Sequence, residues 1–251
     1  MIEKKITVML CCFLVLASNA MANDISAAEA NEILKKSDAI LLPDECTYDL
    51  AIDCYMEDED INVQFQLQAY KRGYTGLTVV WVSPQVERGD VGLRSREKIY
   101  YQTVESFRPT IMSYRATFFD SAQSWGDITS IGLYGDYKVK SATEVVEGGV
   151  PCYSLILDPN TKEVYARVDV LVERDTLRTL KRIYYTPGGK IIKTNTYSDY
   201  TYVNKALTGF KIFIDNIQYG INGTSVFSNI TAKKLPNFLF DPSSIGRINV
   251  R

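Results

Sequence analysis

The side chains able to do acid–base or nucleophilic chemistry are unevenly supplied here. The chain has no histidine, but it has 30 carboxylates, 28 lysines and arginines, and 17 tyrosines. Without histidine, Ser-His-Asp and Cys-His arrangements are excluded, as are the usual histidine-based metal sites. There is no G-x-S-x-G, phosphate loop, G-x-G-x-x-G or C-x-x-C. Carboxylate or tyrosine chemistry remains open in principle, yet no spacing singles out a pair. Four consecutive acids, Glu57 to Asp60 in "MEDEDIN", lack the D-x-D-x-D-G ligand ladder of a calcium loop. They read as a solvated hairpin tip.

Cysteine is the other reactive type. Cys11 and Cys12 lie in "ITVMLCCFLVLA", an apolar run after Lys4 and Lys5. Ala20-Met21-Ala22 follows as an A-x-A site. Residues 1–22 therefore read as a secretory signal peptide cleaved after Ala22, and a periplasmic protein is expected, with residues 23–251 as one domain. Cys46, Cys54 and Cys152 would remain. Cys46 and Cys54 share "CTYDLAIDCY", which alternates as one strand. At ~3.3 Å per residue they would stand about 26 Å apart, too far to bridge. Either could still meet Cys152.

Any site must be held by the elements around it, and these are mostly strands. Ser26 and Glu29 make a capping box ahead of "AAEANEILKKSDAILLP", the one clear helix, which Pro43 ends. In "INVQFQLQAY", Val63, Phe65, Leu67 and Ala69 alternate with Gln64, Gln66 and Gln68. A strand puts neighbours on opposite faces, so this one is half buried. "LTVVWVSP" and "RVDVLVE" repeat the pattern. Turns such as "VEGGVP" and "TPGGK" separate the runs. About ten antiparallel strands in sequence predict one long meander, and a sheet that long curls. The segment "RPTIMSYRATFFDSAQSWGDITSIGLYGDYKV" lacks alternation and reads as a partly helical insert. The fold class is thus mainly β (α+β), a single curled antiparallel sheet with an N-terminal helix. One helix and one insert are sparse cover for its apolar face. The pattern fits both a cavity for a greasy ligand and an ordinary filled core. Net charge is −2, which gives no electrostatic case for nucleic acid. The cation–aromatic mixtures "RSREKIYY" and "LKRIYY" read as strand exteriors.

Several runs resemble the outer-membrane lipoprotein-sorting protein family, a LolA-like group. "ANEILKKSDAILLPDE" is similar to its opening helix, and "VVWVSPQVERGDVGLR" to its strand, Ser-Pro turn and return strand. The longest match runs from "GDYKVKSATEVVEGGVPCY" through "VDVLVERDTLRTLKRIYYTPGGK" to "TNTYSDY". "FSNITAKKLPNFLF" resembles its closing strand and tail. "FFDSAQSWGDIT" departs, standing where the family often has "G-S-D-F-S-Y-x-D-L". The resemblance implies a half-open β-barrel with a helical or loop lid over a hydrophobic cavity. It implies a non-catalytic carrier or receptor of lipid or lipoprotein acyl chains, with no cofactor. Its partners would be a membrane transporter or an outer-membrane receptor.

By alternation, Phe65, Leu67, Val79, Trp81, Val168, Val170 and Val172 are the expected lining of the concave face. Phe118, Phe119 and Trp125 are the expected lid residues or, in an alternative reading as a periplasmic sensor or adaptor, anchors for a protein partner. A cavity enzyme is the third reading.

Overall fold

The computed structural model describes residues 25–56, 61–130, 132–160 and 165–248. The proposed signal peptide and the acidic run Glu57 to Asp60 lie outside these. Helix α1 (Ala27–Leu41) starts where the Ser26 hydroxyl accepts the Glu29 N–H. Its buried side, Ala30, Ile33, Leu34, Ser37 and Leu41, follows the helical repeat. Leu42 is already extended, as a residue before proline prefers.

One antiparallel sheet follows. Its first group is β1 (Glu45–Met56), β2 (Ile61–Arg72), β3 (Gly76–Ser83), β4 (Val91–Ser95), β5 (Lys98–Gln102) and β6 (Thr110–Met112). A short helix, α2 (Trp125–Thr129), lies between the groups. The second group is β7 (Tyr137–Glu147), β8 (Val150–Pro159), β9 (Arg167–Glu173), β10 (Thr179–Tyr185), β11 (Ile191–Val203), β12 (Ala206–Asn216) and β13 (Ile221–Ala232). Two 3₁₀ turns, Asn237–Phe240 and Pro242–Arg247, close the described chain.

The order across the sheet is β6-β5-β4-β3-β2-β1-β13-β12-β11-β10-β9-β8-β7. This corrects the single meander. There are two meanders, and they join at the centre through β1 and β13, with Leu50 opposite Phe227 and Ile52 opposite Ser225. The free edges are therefore β6 and β7, and the chain from 113 to 136 runs from one edge to the other. A segment tied to both edges of a curled sheet spans its open side. We call it the strap.

Three apolar clusters result. The largest gathers the inward faces of β1, β2, β3, β12 and β13 with strap residues. The second lies where Ala30, Ile33 and Leu34 of α1 meet Leu155, Leu157 and the inward valines of β9. The third is on the convex side, where Leu235, Leu239 and Ile245 of the C-terminal tail cover Val80 and Leu93.

Candidate functional site

The ten residues chosen from the sequence fall into two places. Phe65, Leu67, Val79 and Trp81 face inward in the main cluster. Val168, Val170 and Val172 face inward too, but they pack under α1 in the second cluster. Alternation gave the face; it could not tell which part of the cover each strand would meet. On the other face Gln64 and Gln66 are exposed. Arg167 and Asp169 are half-buried and pair with each other, two bonds of 2.7–2.8 Å.

Phe118, Phe119 and Trp125 do come together, on the strap, and they point inward. Phe118 stacks on Trp81, centroids 5.4 Å apart, and meets Phe65 edge-on at 5.7 Å. Trp125 lies 5.0 Å from Phe118 and 5.2 Å from Tyr101. Phe118 is fully buried and Trp125 is 2% exposed, so neither is offered to a partner from this closed form. Glycine makes room for this plug. A Cβ at Gly92 of β4 would stand 2.9 Å from Val79 and 3.1 Å from the Trp125 ring. At Gly223 of β13 it would meet Cys54 Sγ at 2.6 Å and Ala122 of the strap at 3.2 Å.

Polar contacts fasten the strap as well. Asn216 Nδ2 donates to the Ala122 carbonyl at 2.9 Å, and Gln123 donates to the Ser225 hydroxyl. The Ser124 hydroxyl caps α2 and the Asp127 carboxylate returns to the Ser124 N–H at 2.7 Å, a complete capping box. Asp127 also accepts from the Tyr165 hydroxyl at 2.9–3.0 Å and lies 2.5 Å from Lys193 Nζ of β11. The Lys193 ammonium makes no well-directed hydrogen bond; it sits as an ion pair between that carboxylate and the faces of Tyr184 and Tyr165, at 4.7 and 5.0 Å. Burial pulls its pKa below the usual lysine range, with Asp127 opposing. Asp38 of α1 pairs with Arg182 of β10 at 3.0 Å, both side chains 2–3% exposed. Its other oxygen accepts the Leu133 and Tyr134 N–H groups at 2.7 and 2.8 Å, tying helix to strap. Burial raises the Asp38 carboxyl, against the pull of Arg182 and those two donors. At the other edge Arg94 of β4 holds Asp136 with bonds of 2.9 and 2.6 Å.

These inward cations correct the sequence reading of "LKRIYY" as an exterior. In β10 it is Arg182 and Tyr184 that are buried, while Ile183 is only half-buried. In β11 Lys193, Asn195 and Tyr197 point in. Cys46, Cys54 and Cys152 are all buried and unbridged. Burial pushes the Cys46 thiol up to about 11. That disfavours the reactive thiolate.

The concave space beneath strap and α1 is divided. Three hollows there, among the described residues, measure about 20, 30 and 30 Å³. Each is of the order of a single water, whereas drug-sized ligands occupy roughly 300 Å³ or more. The plug, not the sheet, takes up the room.

Solved structures share this architecture. A LolA superfamily protein from Nitrosomonas europaea matches with TM-score 0.74 and 21% identity, over 84% of this chain and 97% of its own. A DUF1329 family protein from Desulfovibrio piger matches at 0.73 and 16%, over 87% and 98%. An outer membrane lipoprotein-sorting protein domain from Vibrio parahaemolyticus matches at 0.71 and 17%, over 88% and 100%. No curated protein matches. A family model described only as an uncharacterized protein matches residues 75–247. The chain belongs to that family, and its fold is LolA-like. The matched range runs from the start of β3 into the last 3₁₀ turn, so it takes in the strap, β10 and β11. The match therefore includes the segment whose sequence departs most from the expected pattern, and it includes Lys193, Arg182 and Asp127.

Proposed function

We propose that the protein is a non-catalytic periplasmic carrier or receptor for the acyl chains of lipoproteins or lipids. One observation carries the reading. Over the main cluster, the side chains that fill the concave face belong to a strap joined to the sheet edges, not to the sheet itself, so moving the strap uncovers an apolar trough. The magnitudes allow the exchange. Withdrawing three aromatic side chains from the core costs roughly 5–9 kcal/mol at 1.5–3 each. A sixteen-carbon chain buried at ~0.8 kcal/mol per methylene returns about 12 kcal/mol. An acyl chain can thus replace Phe118, Phe119 and Trp125 against Trp81 and Phe65. The reading asks no bond to be made or broken. A membrane transporter or outer-membrane receptor would load or unload it. The fold shared with a lipoprotein-sorting domain supports this reading.

Native mass spectrometry tests it, on protein taken from the periplasm without detergent. A bound lipid or acylated peptide is expected. Protein that is always empty, and that takes up none of the lipids or lipopeptides offered, overturns the reading.

A further inference from the structure

The three ion pairs that hold the cover in place have one polarity. Asp38, Asp127 and Asp136 belong to the cover; Arg182, Lys193 and Arg94 belong to the sheet. Two of the sheet cations stand side by side. Across the β10–β11 ladder Arg182 is opposite Asn195 and Tyr184 is opposite Lys193, so the four form a square on the concave face. Lys193 is 1% exposed and has three N–H groups near a single carboxylate. Asn195 is 6% exposed, and its Oδ1 accepts no hydrogen bond. A hollow of about 30 Å³ borders this square, lined by its Arg182, Tyr184 and Asn195 and by Ile212, Ile214 and Phe227 of β12 and β13, while Lys193 meets it only through Asp127, which lines it. Asp127 and Tyr184 border it and also border the neighbouring hollow, which reaches Tyr165. Its lining combines the polar Gln123, Asp127, Arg182, Asn195 and Ser225 with the apolar Ile212, Ile214 and Phe227, the two kinds of surface that an amphiphile would require.

We propose that the ligand carries an anionic group, a carboxylate or phosphate, which takes the place of the Asp127 carboxylate on Lys193 and Tyr165, beside Arg182. This rests on the carrier reading and names its ligand class. When α2 leaves with the strap, Lys193 loses its counter-charge. A neutral acyl chain in the trough would then lay hydrocarbon over an uncompensated ammonium, which is strongly unfavourable. An anion at the head of the chain removes that cost. The Asp127 oxygens mark where its oxygens sit, and Asn195 Oδ1 accepts the hydroxyl when the head group is a singly protonated phosphate. The chain runs from there past Ile212, Ile214 and Phe227.

The test titrates the full chain, purified without detergent, with four probes: palmitate, hexadecyl phosphate, hexadecanol and inorganic phosphate. The two charged amphiphiles should bind about tenfold or more tightly than hexadecanol, and inorganic phosphate should bind weakly. Lys193→Met should bring charged and neutral probes to within about twofold of each other while hexadecanol binding is kept. Lys193→Arg should retain the preference. Asp127→Asn, which removes the internal competitor, should raise palmitate affinity several-fold. Equal binding of palmitate and hexadecanol to the wild type, or an unchanged preference in folded Lys193→Met, overturns the proposal and leaves the carrier reading standing. Inorganic phosphate binding as tightly as hexadecyl phosphate overturns the assignment to an amphiphile. If Lys193→Met does not fold, Asp127→Asn decides, and no gain in palmitate affinity overturns it. If none of the three amphiphiles binds, the carrier reading itself falls, and this proposal with it.

Discussion

Val170 and Leu67 are each 2% exposed, one beneath α1 and the other in the main cluster. A carboxylate at either position is buried without a partner. Val170→Glu and Leu67→Glu should each lose about 3–5 kcal/mol of stability, read as a fall in the urea midpoint. Trp125→Ala should cost a similar 3–5 kcal/mol, but it vacates space in the trough, so lipid uptake should persist or rise while melting falls. These apolar positions were legible in the sequence because a strand with one buried face writes its pattern at every second residue. Arg182, Lys193 and Asn195 were not. The rule that sends polar residues outward has no means of marking a cation buried against a carboxylate far along the chain, as Arg182 is against Asp38 and Lys193 against Asp127. Tyr184 and Tyr197, of the same parity, were the available hint.

Elements fail or hold by how closely they approach. β4 carries Gly92 where Trp125 crosses it, and the missing Cβ is the clearance. Gly92→Ala should push the Trp125 ring outward and loosen the strap, seen as faster hydrogen exchange in 113–130 with β1 and β2 unchanged. The C-terminal tail is held differently. Glu45 of β1 accepts the Leu235 N–H at 2.8 Å and two bonds from Arg72 at 2.9 and 2.7 Å. The Leu235 N–H and then Arg72 hold its carboxyl below the usual 4.5. Its protonation is therefore harder in the folded state. The clasp is fully present above the unfolded pKa and is lost as pH falls through the folded one. Glu45→Gln should lower Tm at pH 7, and the gap between variant and wild type should narrow as pH falls below the usual carboxylate range. The helix start and the hairpins were readable from caps, turns and alternation, and the tail only from the family resemblance. β6 was not, being three residues inside a segment without a repeat.

For the whole molecule, the concave face is roofed by two pieces of chain, and both tryptophans sit at one contact beneath that roof. Trp81 on the sheet and Trp125 on the strap have ring centroids 6.1 Å apart, and the sequence has no others. Intrinsic fluorescence therefore reports the strap. Binding of palmitate should shift the emission to the red, and Trp125→Phe should abolish most of that shift; emission unmoved at saturating lipid would mean that the strap stays shut. The curled sheet could be anticipated from strand number. Its order could not, because alternation says which face a strand buries and nothing about which neighbour it takes.

That order governs how the chain comes to be folded. β1 takes one neighbour from its own hairpin, but the other, β13, begins at Ile221. Until the last eighth of the polypeptide is available, the first six strands can form only a sheet fragment whose growing edge is β1. Loop-closure entropy for so distant a pairing is paid late, and folding with such non-local contacts is slow. The rate-limiting event should be the zipping of β1 to β13. Substitutions at that seam, such as Ser225→Gly, should slow refolding more than equally destabilising ones at the β7–β8 hairpin. A chain arrested before Ile221 would keep an adhesive edge at the middle of what should be its sheet, open to any strand that reaches it first.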